Sequence, residues 1–409
     1  MTTIPNPNTI TALTLQSMHS SYYKSYTFEG FSEILSRAPQ LAPHVRLLLL
    51  QFLPGHSSSP EAAAALTAIL AKLNSTNTLS VQMEAGGDEF QWSSLSLGVQ
   101  AALQTALLRP TLTSLRLSRV QFDGPVEFIS VLAPASQLHE LIISQVTLKN
   151  AGDGNTTLPS TRLSLHTLKV DCYMTTPQLL RLLTRVIDGS QLRHLLTFIT
   201  PDLEPAACEV LAIAVNVEHY HVRLEEYSRR DAKRLAINLR PLRHLHTLEI
   251  TLDLHVASFT GDPVWCAKRI IKSTGADAAS LDEGDDQDED TEDYDDANED
   301  KTEDEHEDEH EPGRGDQRNS VVTDIIFNVD LNNVEQGYHK LISRTMMSLA
   351  DMLDEMIGLA LNTVTFWIAC EGQVWDAVDE HLRQCFTLME TDRNRPLRIK
   401  KLGRLNQFL

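Results

Sequence analysis

Apolar residues recur along this chain in a six-residue frame whose first, fourth and sixth positions are hydrophobic. "LTSLRL" sets Leu112, Leu115 and Leu117 in this frame, and "LHELII" sets Leu138, Leu141 and Ile143. "LHTLKV" follows with Leu165, Leu168 and Val170, then "LRHLLT" with Leu192, Leu195 and a weaker Thr197. "VEHYHV" contributes Val217, Tyr220 and Val222, and "LHTLEI" contributes Leu245, Leu248 and Ile250. Successive frames begin 26, 27, 27, 25 and 28 residues apart. Alternation within each hexapeptide predicts a short strand with one buried face. One such hexapeptide is a weak signal; six at a near-constant period mark a repeat architecture.

The stretches between frames predict helices. In "TPQLLRLLTRVIDG", Thr176 is an N-cap and Pro177 takes the first helical position, where its missing N–H costs nothing. Leu179, Leu182, Leu183, Val186 and Ile187 form one apolar stripe. Gly189 is expected in the left-handed conformation that ends a helix. "GPVEFISVL" and "RRDAKRLAINL" predict shorter helices, and "PEAAAALTAILAKL" predicts one beginning at Pro60. A strand and a helix of this size cannot bury their apolar faces alone, so neighbouring units must stack. The period lies in the range of the longer leucine-rich repeats. The expected fold class is therefore α/β, a leucine-rich-repeat solenoid (horseshoe) with parallel inner strands and outer helices.

The frame extends outward less regularly. "VRLLLL" offers Val45, Leu48 and Leu50, while "TNTLSV" offers only Leu79 and Val81. Later, "VTDIIF" offers Val322, Ile325 and Phe327, and "LNTVTF" offers Leu361, Val364 and Phe366. Leu245 and Val322 lie 77 positions apart; removing the 44 residues 275–318 leaves 33, about one repeat. That segment reads as a disordered acidic insert inside one array. Four parts are expected: an N-terminal segment 1–27, repeats over 28–274, the insert 275–318, and C-terminal repeats with a basic tail over 319–409.

Charge sharpens this division. The 409-residue chain carries a formal −21, yet 20 acidic residues and one Lys between Asp282 and Glu311 account for −19 of it. The remaining body is close to neutral, which argues against a nucleic-acid-binding surface over the whole protein. The five Cys, at 172, 208, 266, 370 and 385, are scattered and never form C-x-x-C, so neither a disulfide framework nor a zinc knuckle is expected. The first residues lack the pattern of a signal peptide, and "LLLLQFL" is far short of a membrane span. A cytoplasmic or nuclear protein with no membrane contact is expected.

Two motifs resemble catalytic signatures. "HEDEHEPGRGD", from His306, matches H-E-x-x-H-x-x-G-x-x-D of zinc proteases, but its neighbours are acidic and offer no apolar face for a core helix. "GHSSS", from Gly55, lacks the final Gly of a nucleophile elbow. The acidic run lacks the loop Gly and flanking helices of an EF-hand. No Gly-rich phosphate loop occurs. No enzyme, cofactor or metal is expected. Ser280 and Thr302 each precede an acid by three residues, as acidophilic kinase sites do.

Three stretches carry a family resemblance. "FEGFSEILSRAPQLAPHVRLLLL" resembles the junction after the F-box in fungal F-box and leucine-rich-repeat proteins. "QWSSLSLGVQAALQTALLRPTLTSLRLSRVQF" is similar to their next unit, and "VWDAVDEHLRQCF" to their closing helix. The resemblance covers Phe28 to Leu388 apart from the insert; no L-P-x-E-like F-box precedes Phe28. It implies a protein-protein interaction scaffold, a degenerate or truncated substrate receptor whose repeats hold a protein. The F-box of that family docks on a Skp1-type adaptor. An alternative reading joins repeats and acidic run in a nuclear factor that binds histones or other basic proteins through Asp282–Glu311.

Polar positions within the frames are the candidate binding residues. His139, His166 and His246 each follow the first Leu of a frame. Alternation places His194, His219, His221, Arg223 and Glu249 on the concave side of three adjacent repeats, as a partner-binding or pH-sensitive patch or simply as solvated strand positions. Phe198 and Trp367 are expected there as anchors. Arg393, Arg395, Arg398, Lys400, Lys401 and Arg404 form a basic tail able to meet the acidic run, nucleic acid or an import receptor, or to remain solvated.

Overall fold

The computed structural model describes residues 12–16, 26–52, 59–83, 90–150, 162–171, 176–224, 235–253, 263–274, 322–330, 361–369 and 397–402. The first strands are β1 (Ala12–Gln16), β2 (Tyr26–Thr27), β3 (Leu47–Phe52), β4 (Thr78–Met83) and β5 (Phe90–Gln91). Next come β6 (Ser114–Ser118), β7 (Val120–Phe122), β8 (Glu140–Ser144), β9 (Thr147–Leu148) and β10 (Thr167–Val170). β11 (His194–Ile199), β12 (His219–Leu224), β13 (Thr247–Asp253), β14 (Asp324–Asp330), β15 (Thr363–Ala369) and β16 (Leu397–Leu402) complete them. Helices α1 (Phe28–Arg37), α2 (Pro60–Lys72), α3 (Leu97–Leu107), α4 (Pro125–Leu132), α5 (Pro177–Val186), α6 (Glu204–Ile213) and α7 (Pro263–Lys272) lie between strands.

Thirteen strands form one sheet in the order β16-β15-β14-β13-β12-β11-β10-β8-β6-β4-β3-β1-β2. Every pairing is parallel, and from β3 onward each new strand is added beside the preceding one in chain order. The frame dictates this register. Leu79, Leu115, Leu141, Leu168, Leu195, Tyr220, Leu248, Ile325 and Val364 stand opposite one another along successive strands. All are buried, within one hydrophobic core that also holds the buried faces of the helices. The helices thus cover the sheet face that carries the frame residues. Each strand–helix pair buries apolar area worth roughly 25 cal/mol per Å² only when the next pair is in place.

Just before each strand, one residue extends the ladder. Asn77, Thr113, His139, His166, Arg193, Glu218, His246 and Thr323 each offer a carbonyl to two successive N–H groups of the next unit. His139 O, for example, accepts from His166 N at 2.8 Å and from Thr167 N at 2.9 Å. The histidines that follow the first frame Leu therefore mark strand entry through their backbones. The rings of His139 and His166 also stack at 4.9 Å. A smaller three-stranded parallel sheet, β5-β7-β9, runs beside the first repeats. It leaves the main sheet at Arg119 and Gln145, equivalent positions with φ of 56° and 55°. Arg119 Nε donates to Gln145 Oε1 at 2.7 Å, so the two left-handed turns brace each other.

The predicted helices are observed at α2, α4 and α5, with Ser59 and Thr176 as side-chain N-caps. Gly189 departs from its predicted role. It opens a one-turn 3-10 helix capped by Asp188, and its need for glycine is space: a Cβ there would lie 2.4 Å from Ile213 O. The helix expected over "RRDAKRLAINL" is not formed in its described part, Leu235–Leu239. There burial alternates through Leu235, Ile237 and Leu239, and Ala236 N donates to the Glu204 carboxylate. The apolar residues of this described part recur with a period of two, not the helical period.

The array begins earlier than expected, and it continues across the insert as expected. β1 joins the sheet from the segment before Phe28, pairing Ala12 with Leu47 through Gln16 with Gln51. Across the acidic insert, β13 and β14 pair in continuous register from Thr247–Asp324 to Asp253–Asp330. Residues 275–318, the "GHSSS" stretch up to Ser58, the H-E-x-x-H match, Ser280, Thr302 and the "VWDAVDEHLRQCF" stretch lie outside the described residues.

Candidate binding face of the sheet

Because side chains alternate along a strand, the residues between the frame positions point away from the helices. Register arranges them in rows. One row runs Ser114, Glu140, Thr167, His194, His219, Thr247, Asp324 and Thr363. The next runs Arg116, Ile142, Lys169, Leu196, His221, Glu249, Ile326 and Thr365. A third contains Phe198, Arg223, Thr251, Asn328 and Trp367. All seven candidate residues, His194, Phe198, His219, His221, Arg223, Glu249 and Trp367, thus lie on this polar face.

Their central members are joined by hydrogen bonds into a network around Glu249. His219 Nε2 lies 2.8 Å from Glu249 Oε2; a carboxylate only accepts, so Nε2 carries the proton. Asn328 Nδ2 donates to Glu249 Oε1 and, at 3.3 Å, to Thr251 Oγ1. His221 Nε2 lies 2.7 Å from Thr251 Oγ1, while its Nδ1 faces Glu249 Oε1 at 3.6 Å. A Thr251 hydroxyl that accepts from Asn328 and donates to His221 Nε2 leaves the His221 proton on Nδ1, aimed at the carboxylate. The network spans β12, β13 and β14 and so ties together the strands on either side of the insert.

Burial sets the charge states. His221, with a side chain 17% exposed, is pushed down to about 4 by burial. Glu249 opposes this shift, whereas His219, Arg223 and Lys169 add to it. It is neutral at physiological pH. Burial raises the Glu249 carboxyl, but the bond from His219, the His221 ring, the Asn328 amide and the His219 charge bring it to about 2. Burial likewise lowers His194, aided by His219 and Lys169 and opposed by Glu218. The His194 and His219 rings meet edge to face at 5.9 Å.

The aromatic candidates behave differently from one another. Phe198, expected as an exposed anchor, is only 3% exposed. The Arg223 guanidinium lies over its ring at 5.7 Å and reaches Asp171 Oδ1 at 3.5 Å. Phe198 is therefore the platform that positions Arg223, and Arg223 is what the face presents. Burial raises the Asp171 carboxyl and Arg223 draws it back down. Trp367 lies in the same row as Arg223, three strands further on, about 14 Å at the usual spacing. It is half-buried beside Asn328.

Asp171, Thr251 and Asn328 were not among the sequence candidates. The available signal was parity: each occupies an alternate position beyond a frame apolar residue, and the same rule applied to every strand reaches them. Of the basic tail, Arg398 is exposed on β16 opposite Thr365. Lys400 and Lys401 belong to β16 by backbone only, and Arg393, Arg395 and Arg404 lie outside the described residues. Among the described residues, no group of three His, Cys, Asp or Glu side chains is placed to hold a metal ion. No helix among them is long and apolar enough to cross a membrane. Among the described residues, neither Cys208 nor Cys266 is in a disulfide. No protein-family model matches this chain, and no curated protein matches its sequence.

Proposed function

We propose that this protein is a non-enzymatic protein-binding scaffold of leucine-rich-repeat type, whose polar sheet face holds the partner. The observation that supports this most is the in-register arrangement of non-frame residues across successive parallel strands, which gives a continuous surface of mixed polar, charged and apolar side chains. A repeat array extends such a surface one row position per unit, suiting it to an elongated protein partner. The test is cross-linking and affinity capture with the full chain, comparing Ser144→Tyr on the polar face with Thr105→Tyr on the exposed side of α3. Loss of specifically cross-linked partners in the first variant alone supports the reading. Equal loss in both, or in neither, overturns it.

The resemblance to F-box receptors adds a narrower version, in which the scaffold belongs to a cullin ubiquitin ligase. Recovery of a Skp1-type adaptor in the same captures decides it, and its absence removes the ligase link while leaving the scaffold. A second reading rests on the acidic run, 20 acidic residues within Asp282–Glu311. Such a run attracts histones or other basic proteins by a salt-screened field. Deleting it should abolish histone binding at moderate salt; unchanged binding rejects that reading.

A further inference from the structure

Within the central part of the polar face, most charged groups already have partners. Glu140 accepts from Ser114 Oγ at 2.6 Å, Asp171 faces Arg223, and Glu249 is held by His219 and Asn328. Two cations differ. Arg116 on β6 and Lys169 on β10 have neither an ion pair nor a side-chain hydrogen bond among the described residues. They occupy the same row, separated only by Ile142 of β8. The Nε of Arg116 is closed off from solvent without an acceptor, so the side chain is packed down on the sheet and held in place without a counter-ion.

We propose that Arg116 and Lys169 form a two-point receptor for an acidic segment of the protein partner, with Ile142 as the apolar step between them. This deepens the scaffold reading and rests on it. Two strand spacings separate the cations, about 9.6 Å. A polyproline II segment rises about 3.1 Å per residue with three residues per turn, so acids at positions i and i+3 project from one side about 9.3 Å apart. An Asp/Glu-x-x-Asp/Glu segment in that conformation matches the pair. A continuous run of phosphates fits less well, because it places further negative charges beside Glu140 and Asp171, whereas a segment with acids only at i and i+3 places none there.

The test uses the full chain and fluorescent ten-residue peptides containing Glu-Pro-Pro-Glu, the matching Gln-Pro-Pro-Gln, and versions with the two Glu one residue closer or further apart. Polarisation should show the Glu-Pro-Pro-Glu peptide bound best. Arg116→Gln/Lys169→Gln should weaken that binding at least tenfold, with a melting temperature close to wild type because neither side chain makes an ion pair or side-chain hydrogen bond among the described residues. Binding that survives the double variant, ignores the spacing, or is absent for every peptide overturns the proposal. A tenfold gain in peptide affinity on deleting Asp282–Glu311 would make the chain's own acidic run the occupant and also overturn it. The scaffold reading is separable. If Ser144→Tyr removes the captured partners while the double glutamine variant keeps them, only the two-point receptor fails.

Discussion

Tyr220 and Thr197 are the two residues that break the leucine frame in adjacent repeats, and they compensate for each other. Both are fully buried, and their hydroxyls lie 2.8 Å apart. Burial raises the Tyr220 phenol above its ordinary range, so it remains neutral. Tyr220→Phe should cost about 1–2 kcal/mol by leaving the Thr197 hydroxyl unpaired, and adding Thr197→Val should recover part of that loss in a urea-denaturation cycle. Gly189→Ala should cost more, about 2–4 kcal/mol, because its Cβ meets Ile213 O at 2.4 Å. His221 contributes acid sensitivity. Its pKa falls from 6.5 unfolded to about 4 folded. The unfolded chain therefore binds more protons in that window, and stability is lost as pH falls from 6.5 towards 4. The loss is roughly 2–3 kcal/mol, and thermal melts of His221→Gln across that window should show a shallower slope. Glu249, lowered to about 2, contributes stability that disappears only below pH 4.5.

Elements are joined across repeats by side chains that close the ends of a neighbour. Arg109, just past α3, donates through Nη1 to Leu73 O at 2.7 Å and through Nη2 to Leu70 O. A cation thus meets the unsatisfied carbonyls at the C-terminal end of α2, where the helix dipole also favours it. Burial lowers the Arg109 pKa. Arg109→Met should keep the packing of the stem and lose about 2 kcal/mol through the two carbonyls, measured by urea denaturation. The described end of "RRDAKRLAINL", Leu235–Leu239, is joined to a neighbour in a similar way. Leu235–Leu239 runs with alternating burial, and Glu204 of α6 takes the Ala236 N–H.

At the scale of the molecule, the acidic insert interrupts the chain but not the sheet. β13 and β14 keep continuous register from Thr247 to Asp253, and Glu249–Asn328 adds a side-chain link across the same boundary. Loop-closure entropy grows only slowly with length, so an array tolerates a long insertion at one crossover. Replacing 275–318 by a short Gly-Ser linker should leave the circular dichroism spectrum unchanged and the Tm within a few degrees. A large loss of Tm would show that the insert itself supports the fold.

The repeat period, the parity of each strand and the placement of all seven candidate residues on one face were legible in the sequence, because alternation and helical stripes are local properties of the chain. Even the irregular frames lead into strands: Leu48 and Leu50 lie in β3, Leu79 and Val81 in β4, and Ile325 and Phe327 in β14, with Val45 and Val322 buried just before their strands. Partnerships were not legible. Which polar residue meets which depends on register between strands 25 to 79 residues apart, set by how helices of unequal length pack. Sequence therefore marked His219, His221 and Glu249 but not Asn328, which completes their network from beyond the insert. It read Phe198 as an anchor, whereas tertiary packing placed it beneath Arg223. It assigned Gly189 a turn, whereas the approach of α6 required the missing Cβ. Local periodicity decided what each residue faces; only the stacking of neighbouring units decided what it touches.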